Sequence, residues 1–329
     1  MNLSLPRNSC SWGVGITDTF RNSSRAILET WGTNLQNPCE AMLKIHRPDP
    51  GKVFIQADQS GAEALIVAYL TKRGRFRRLF ECSIKPHTYM AAVLFAKHWA
   101  KKGFDRVFEI VILSPEDVKI HYQWPELEKA IKSDHEKYFI GKKTIHASNY
   151  EMQWGTFQLD VLKESAGELA LTNFQAKTYI QDHHRTFPEI PEWQAEFKEE
   201  IKRTRLIRNL FGHPRRIYGV LTDDLFRKLI AFVPQSTVGT ITNIAFRDTQ
   251  DYIEYEHLDW DVLNNKHDSV LIQVPESQVK EASEILKRFI EIDLVSPRGE
   301  KFKMKSEVSV GYNWGKYDKE TNPDGLREI

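Results

Sequence analysis

The rhythm of polar and apolar positions changes twice along the 329-residue chain. An apolar, β-prone run, Val53-Phe-Ile-Gln-Ala, ends at Asp58 and predicts a strand over 52–57. Apolar residues over 62–70 then predict a helix that starts near Ser60, where free backbone N–H groups favour an anion such as a triphosphate. From 85 to 205 the apolar positions recur at mixed three- and four-residue spacing among long charged stretches, which predicts helices. Within them 101–137, with its Ser-Pro, Trp-Pro and many charges, reads as an insertion. One or two helices broken at Pro234 are expected over 222–246. A strand over 269–274, an amphipathic helix over 277–290 and a last strand or hairpin over 300–311 complete the pattern. The strand that should precede His267 is poorly marked, because Leu263-Asn-Asn-Lys266 is more turn-like than β. Residues 1–50 read as loop-rich. Strands at both ends with helices between them indicate an α+β fold: a discontinuous, sheet-bearing domain carrying an all-α insertion.

Composition narrows the class. The length suits about two domains, and 41% hydrophobic residues with a mean hydropathy of −0.49 suit a soluble protein with a core. No uninterrupted apolar stretch approaches about 18 residues, and no charged-then-apolar N-terminus is present, so neither a membrane span nor a signal peptide is expected. Cys10, Cys39 and Cys82 are odd in number and widely spaced, which suits reduced cytoplasmic thiols rather than a disulfide framework or a zinc site. A net charge of +1 does not advertise nucleic-acid binding. Two local groups do more: Lys72, Arg73, Arg75, Arg77 and Arg78, and the band Arg203, Arg205, Arg208, Arg215 and Arg216. The ordinary reading of such a run is a solvated face; the alternative is a phosphate-tracking patch, since that binding depends on local cations.

The candidate chemistry lies at the tips of two apolar runs. Asp58 ends the first, and Asp268 precedes Ser269-Val-Leu-Ile-Gln-Val. Either alone is an ordinary turn residue. Two carboxylates held face to face are costly unless cations sit between them, and Mg²⁺ favours a few carboxylates plus substrate phosphates, an arrangement suited to two-metal phosphoryl or nucleotidyl transfer. Between them Lys142, His146, Tyr150 and Trp154 recur every four residues, which on one helix makes a stripe about 18 Å long. The ordinary reading of that stripe is a helix face packed on a core.

In this order the segments resemble the family A DNA polymerases, the group of bacterial DNA polymerase I and many phage replicases. Asp58, Ser60 and Glu63 fill the family's D-x-S-x-x-E motif A; His267 and Asp268 fill the H-D of motif C, with Ser269 where a Glu usually follows. Asn149-Tyr150 and Trp154-Gly155 resemble the fingers helix R-x-x-x-K-x-x-x-F/Y-x-x-x-Y-G, with Lys142 for the Arg, His146 for the Lys and Trp154 for the Tyr. Thr33-Asn34-Leu-Gln36-Asn37-Pro is similar to the family's N-L-Q-N-P loop, and Thr19-Phe-Arg21-Asn-Ser-Ser to T-G-R-L-S-S, whose arginine contacts the primer-template minor groove. Leu210-Phe-Gly-His-Pro-Arg-Arg216 resembles L-F-G-R-R-R. Arg227 and Gln235 match R-x-x-x-N-x-x-x-Q, a helix face that reads the duplex minor groove, although the intervening Asn is Ala231. Val308-Ser-Val-Gly-Tyr-Asn-Trp314 resembles the terminal V-x-x-G-x-N-W strand, so the resemblance runs from about residue 17 to 316.

The resemblance implies a polymerase palm at 1–84 and 221–329, an antiparallel sheet with helices, holding helical fingers at 85–220. The thumb and exonuclease domains of fuller family members are not seen in it, so a separate chain supplying them is one expected partner. It implies a DNA-directed DNA polymerase that joins dNMP to a primer 3′-hydroxyl, in phage DNA replication. On this resemblance two Mg²⁺ ions, replaceable by Mn²⁺, would be held by Asp58, Asp268 and the Gln59 carbonyl. Ser60, Glu63, Lys142, His146, Tyr150 and Trp154 would bind the nucleotide, with Glu63 as the steric gate against the ribose 2′-hydroxyl. Arg21, Asn34, Gln36, Asn37, Arg227, Gln235 and His267 would bind primer-template DNA. The expected place is the cytoplasm, that of the host if the chain is phage-encoded, with no membrane partner. A lysine grips phosphate as a point charge, whereas His146 is cationic only where a triphosphate or low pH favours its protonated form. Two alternatives stand beside this reading: a single-subunit RNA polymerase, and a non-catalytic DNA-binding remnant or subunit of a split polymerase.

Overall fold

The structure, a computed structural model, describes residues 11–13, 23–25 and 38–329. Its centre is a five-stranded antiparallel sheet built from β1 (Lys52–Gln59), β2 (Asp261–Lys266), β3 (Ser269–Pro275), β4 (Ser306–Gly311) and β5 (Arg327–Glu328), in the order β5-β4-β1-β3-β2. The helices that concern the site are α1 (Ala62–Leu70), α2 (Arg75–Glu81), α3 (His135–Asn149), α4 (Trp154–Glu164), α5 (Asn173–Thr186), α6 (Glu189–Thr204), α7 (Asp223–Tyr255) and α8 (Val279–Ile290). The α+β class expected from the pattern is the class observed.

β1 is central because both of its faces are covered. Phe54 joins Leu271 and Trp314 in one apolar cluster, and the alternate residues Val53, Ile55 and Ala57 are buried on the opposite side. α8 packs on β1. Its buried Ala282, Leu286 and Ile290 recur every four residues, and each of the larger two contributes about 1.5–3 kcal/mol of burial. The Trp314 indole N–H donates to Gln56 Oε1 (2.8 Å), which ties the end of β4 to β1.

Two elements depart from the sequence expectation. The poorly marked strand before His267 is formed, as β2, with a register shift between Val262 and Asn264. Its buried Asn265 is tolerable because a partner exists: Asn265 Nδ2 donates to Asn243 Oδ1 on α7 (2.9 Å). The expected break at Pro234 is absent, since α7 runs 33 residues through it. An interior proline costs a helix about 3 kcal/mol, but Leu229, Ile230, Phe232, Val233, Val238 and Ile241 around it are all buried, and that packing prevails. Among the described helices, α7 alone is long and apolar enough to cross a membrane, and most of that stretch is buried inside the protein as core.

The chain forms two compact units: a sheet unit of residues 1–62, 208–213 and 232–329, and a helical unit of 63–207 and 214–231. These boundaries differ from the expected 84/85 and 220/221, because α1, α2 and the first turns of α7 pack with the helices. One reason is local: Glu189, at the start of α6, accepts from the Phe76 N–H in the first turn of α2 (2.6 Å). The 101–137 insertion folds into the same unit through short helices, the last of which (Trp124–Ser133) buries Trp124, Leu127 and Ile131.

Candidate active site

In the sheet unit, register brings three carboxylate-bearing positions together. Asp58, near the end of β1, lies opposite Ser269 of β3 and opposite Glu307 of β4. The next residue, Gln59, donates its backbone N–H to the Asp268 carbonyl (3.0 Å). Asp268 occupies a two-residue hairpin between Lys266 and Ser269, and His267 takes a left-handed φ of 55° there. Such loops favour positive φ, yet a non-glycine residue holds it at some cost, of a kind that concentrates at functional sites. The Ser269 hydroxyl closes the turn on the Lys266 carbonyl (3.1 Å).

α7 braces both strand ends through Thr242. Its Oγ1 accepts from Gln59 Nε2 (2.7 Å) and faces the His267 and Val238 carbonyls at 3.1 and 3.0 Å, between which its single proton is shared. The Gln59 side chain is therefore turned into the protein, and only its main-chain carbonyl suits the metal role expected of it. Ser60 donates its hydroxyl to Glu307 Oε1 (2.9 Å). The donor set here is oxygen only. Among the described residues no three His, Cys, Asp or Glu side chains are gathered as a metal cluster. The set nonetheless fits Mg²⁺, which is bound through one or two carboxylates plus substrate phosphates rather than by an all-protein cage.

In the helical unit a second group forms around Glu63. Tyr150 donates its hydroxyl to Glu63 Oε2 in a short hydrogen bond. His146 Nε2 stands 3.7 Å from that same oxygen, and its ring meets the Tyr150 ring edge-on, with centroids 5.0 Å apart. Burial pushes the His146 imidazole below its ordinary value, and the facing Glu63 carboxylate works against that shift. Lys142 is exposed at the next turn. Lys143 is tied to Asp160 (3.0 Å) and Glu164 of α4.

The four-residue stripe does not continue to Trp154. α3 ends at Asn149, with Tyr150 as its C-cap and Glu151 left-handed at φ 56°. The Met152 N–H returns to the Ala147 carbonyl (2.9 Å) and the Glu151 N–H to Ser148 (3.2 Å), the bond pair of a Schellman ending. Trp154 begins α4 on a new axis. It is 38% exposed, carries Lys177 Nζ 4.5 Å from its ring centre, and lines a cavity of about 590 Å³ together with Lys198, Asp223 and Arg227.

Comparison with known proteins identifies the family. Residues 143–316 match the model of DNA polymerase family A, more than half of the chain. The chain belongs to that family. It is 22% identical over 278 residues to DNA polymerase I of Borreliella burgdorferi, covering 83% of this chain and 26% of that protein. Its fold is similar to the POL domain of Pol1 from M. smegmatis in complex with DNA primer-template and dNTP: TM-score 0.66, 16% identity, 93% of this chain and 48% of the other. The family A chain thus spans about a quarter of the one relative and half of the other.

Among residues expected to touch DNA, Arg227 and Gln235 both lie on α7 and are partly buried, Arg227 beside Asp224 (3.6 Å). Arg21, Asn34, Gln36 and Asn37 lie outside the described residues. In the first basic run Lys72 pairs with Glu196 (2.7 Å), Arg73 and Arg77 with Glu81 (2.8 and 3.1 Å), and Arg78 with Glu116. In the second band Arg203, Arg205, Arg208 and Arg216 are exposed; Arg205 and Arg208 donate to the Gly219 and Gly212 carbonyls. Two site residues escape sequence reasoning. Glu307 is the residue just before the terminal family A strand motif, so only the register exposes its place beside Asp58. Thr242 has no sequence signal at all.

Proposed function

We propose that this family A chain is a DNA-directed DNA polymerase that adds dNMP from a dNTP to a primer 3′-hydroxyl. The observation that carries the reading is the placement of Asp58 and Asp268 at the ends of adjacent, braced strands, in a donor set suited to Mg²⁺. In the reaction the primer 3′-oxygen forms a bond to the α-phosphorus, the bond from that phosphorus to the β-phosphate oxygen breaks, and pyrophosphate leaves. Asp58, Asp268 and the Gln59 carbonyl would hold two Mg²⁺ or Mn²⁺ ions, which supply acidification of the 3′-hydroxyl and neutralisation of developing phosphate charge. The sheet unit's part is to fix the two carboxylates so that little rearrangement is needed at the moment of reaction. The helical unit's part is nucleotide selection: Glu63, held by Tyr150, closes the space a 2′-hydroxyl would need, and Lys142 offers an exposed cation to phosphate. Primer-template DNA and dNTPs are the partners, with Arg227, Gln235 and the exposed arginine band on the DNA side. The motif resemblance further suggests phage DNA replication, in the cytoplasm of the host.

The test is primer extension with each divalent metal. Asp58→Ala and Asp268→Ala should each abolish extension while circular dichroism and melting stay at the parent's values, since a lost ligand removes several kcal/mol of transition-state stabilisation. Extension by either variant at the parent's rate overturns the reading. Faster incorporation of rNTPs than dNTPs by the parent moves the assignment to an RNA polymerase.

A further inference from the structure

The motif resemblance sets His146 at the place of a phosphate-gripping lysine, yet its nearest ionic neighbour is Glu63, the residue assigned to the sugar. Its Nε2 is 3.7 Å from Glu63 Oε2, and the Tyr150 hydroxyl reaches that same oxygen from the other side. The two rings brace each other edge-on at 5.0 Å. Tyr150 is buried and locked by the helix ending that follows it, so one arm of this arrangement is rigid. The other arm is His146, with 49% of its side chain exposed, and its charge depends on pH.

Resting on the polymerase reading above, we propose that His146 is a positioning residue for sugar selection: with Tyr150 it clamps the Glu63 carboxylate, and the clamp tightens when the imidazole is protonated. The groups facing His146 are Glu63 on α1, Tyr150 and Lys143 on α3, and Asp160 and Glu164 on α4. Lys143 is paired with both Asp160 and Glu164, a group that keeps one net negative charge, and Glu63 at 3.7 Å is the foremost of the charges acting on the imidazole. A neutral imidazole at 3.7 Å contributes little. A cationic one makes an ion pair with Glu63 and fixes the carboxylate where the 2′-hydroxyl of a ribonucleotide would enter. Burial lowers the His146 proton affinity and Glu63 raises it, with the net effect downward, so the clamp tightens as pH falls below the ordinary histidine value of about 6.5.

The test is the ratio of dNTP to rNTP incorporation, measured as kcat/KM for each, from pH 5.5 to 8. In the parent the ratio should rise by about threefold as pH falls through the His146 transition, the effect of one half-exposed ion pair. His146→Lys should hold the higher ratio at every pH. His146→Gln should hold the lower ratio at every pH, whatever its absolute rate. A ratio independent of pH in the parent, or a His146→Gln variant that keeps the parent's pH dependence, overturns the proposal. A second measurement needs no catalysis. The His146 ring signals, assigned by their loss in His146→Lys, are titrated by NMR in the parent and in Glu63→Gln. The midpoint should fall in Glu63→Gln. An unchanged midpoint shows the two groups uncoupled and overturns the proposal whatever the polymerase assay gives.

Discussion

His183 on α5 is 0% exposed, and neither ring nitrogen has a hydrogen-bond partner. It packs against Phe187, with ring centroids 5.2 Å apart, and beside His184. Burial holds its pKa well below the ordinary value, and the neighbouring His184 adds to the shift. The unfolded chain, with a pKa of about 6.5, therefore takes up this proton first as pH falls. Above that pH the residue is neutral in both states and its contribution is flat. Below it, stability of the helical unit drops by about 1.4 kcal/mol per pH unit for this one proton until the folded-state pKa is reached. His184 and His146, also lowered by burial, steepen the fall. Replacing His183 with Leu removes both unpartnered nitrogens at nearly constant volume, and a buried unsatisfied polar group costs about 1–3 kcal/mol. The expected outcome is a gain of that size at pH 7.5 and a shallower acid slope. Amide hydrogen exchange of α5 at pH 7.5, 6.5 and 5.5 reads the local opening free energy of this unit directly. If the Leu variant keeps the parent's pH slope, or opens more easily at pH 7.5, the buried imidazole is not the acid-sensitive element.

Three further outcomes follow from single contacts. A Cβ on Gly74 would overlap the buried Glu189 carboxyl group, with Oε2 only 2.7 Å away; Gly74→Ala should cost about 1–3 kcal/mol in urea unfolding by stripping the Phe76 N–H of its acceptor, and because Glu189→Ala removes that same acceptor, the double variant should cost less than the sum of the two single changes. Glu307→Gln keeps the Ser60 hydrogen bond but removes a charge beside Asp58; Mn²⁺ affinity by electron paramagnetic resonance should fall roughly tenfold, the size typical of residues supporting metal ligands. Arg227→Ala should weaken primer-template binding by a similar factor on every sequence and lower the salt slope by about one, whereas a sequence-dependent loss would mean that it reads bases.

How far the fold could be read in advance differs element by element. β1, α1, β3 and α8 carry their pattern locally: runs of buried apolar residues in the first three and a repeat of four in α8. β2 could not be read, because Asn264 and Asn265 are buried only by virtue of partners such as Asn243, which lies 22 residues earlier in the chain. α7 hid its continuity behind Pro234, whose local penalty is outweighed by packing that no window of sequence contains. The site divides in the same way. Asp58 and Asp268 are marked by strand ends and by family A motifs. The break between Tyr150 and Trp154 is unmarked, since the left-handed position is filled by Glu151 rather than a glycine. The Glu63–Tyr150 bond joins residues 87 apart, and the Asp58–Glu307 pairing depends wholly on register.

The outermost strand, β5, is two residues long, and it covers part of an edge that sheets otherwise use to join one another. Without it β4 would present an open ladder of N–H and C=O groups bearing Val308 and Val310, the kind of edge along which sheets fuse. β5 pairs with that ladder at Ser309 and Val310, and Ile329 adds a backbone bond to Val308 (3.0 Å). The Asn313–Asn322 amide pair holds the intervening loop closed. The last dozen residues thus act as a sheath. Removing residues 318–329 should expose the β4 ladder away from the Asp58 end of the sheet, so the expected outcome is self-association and lower solubility.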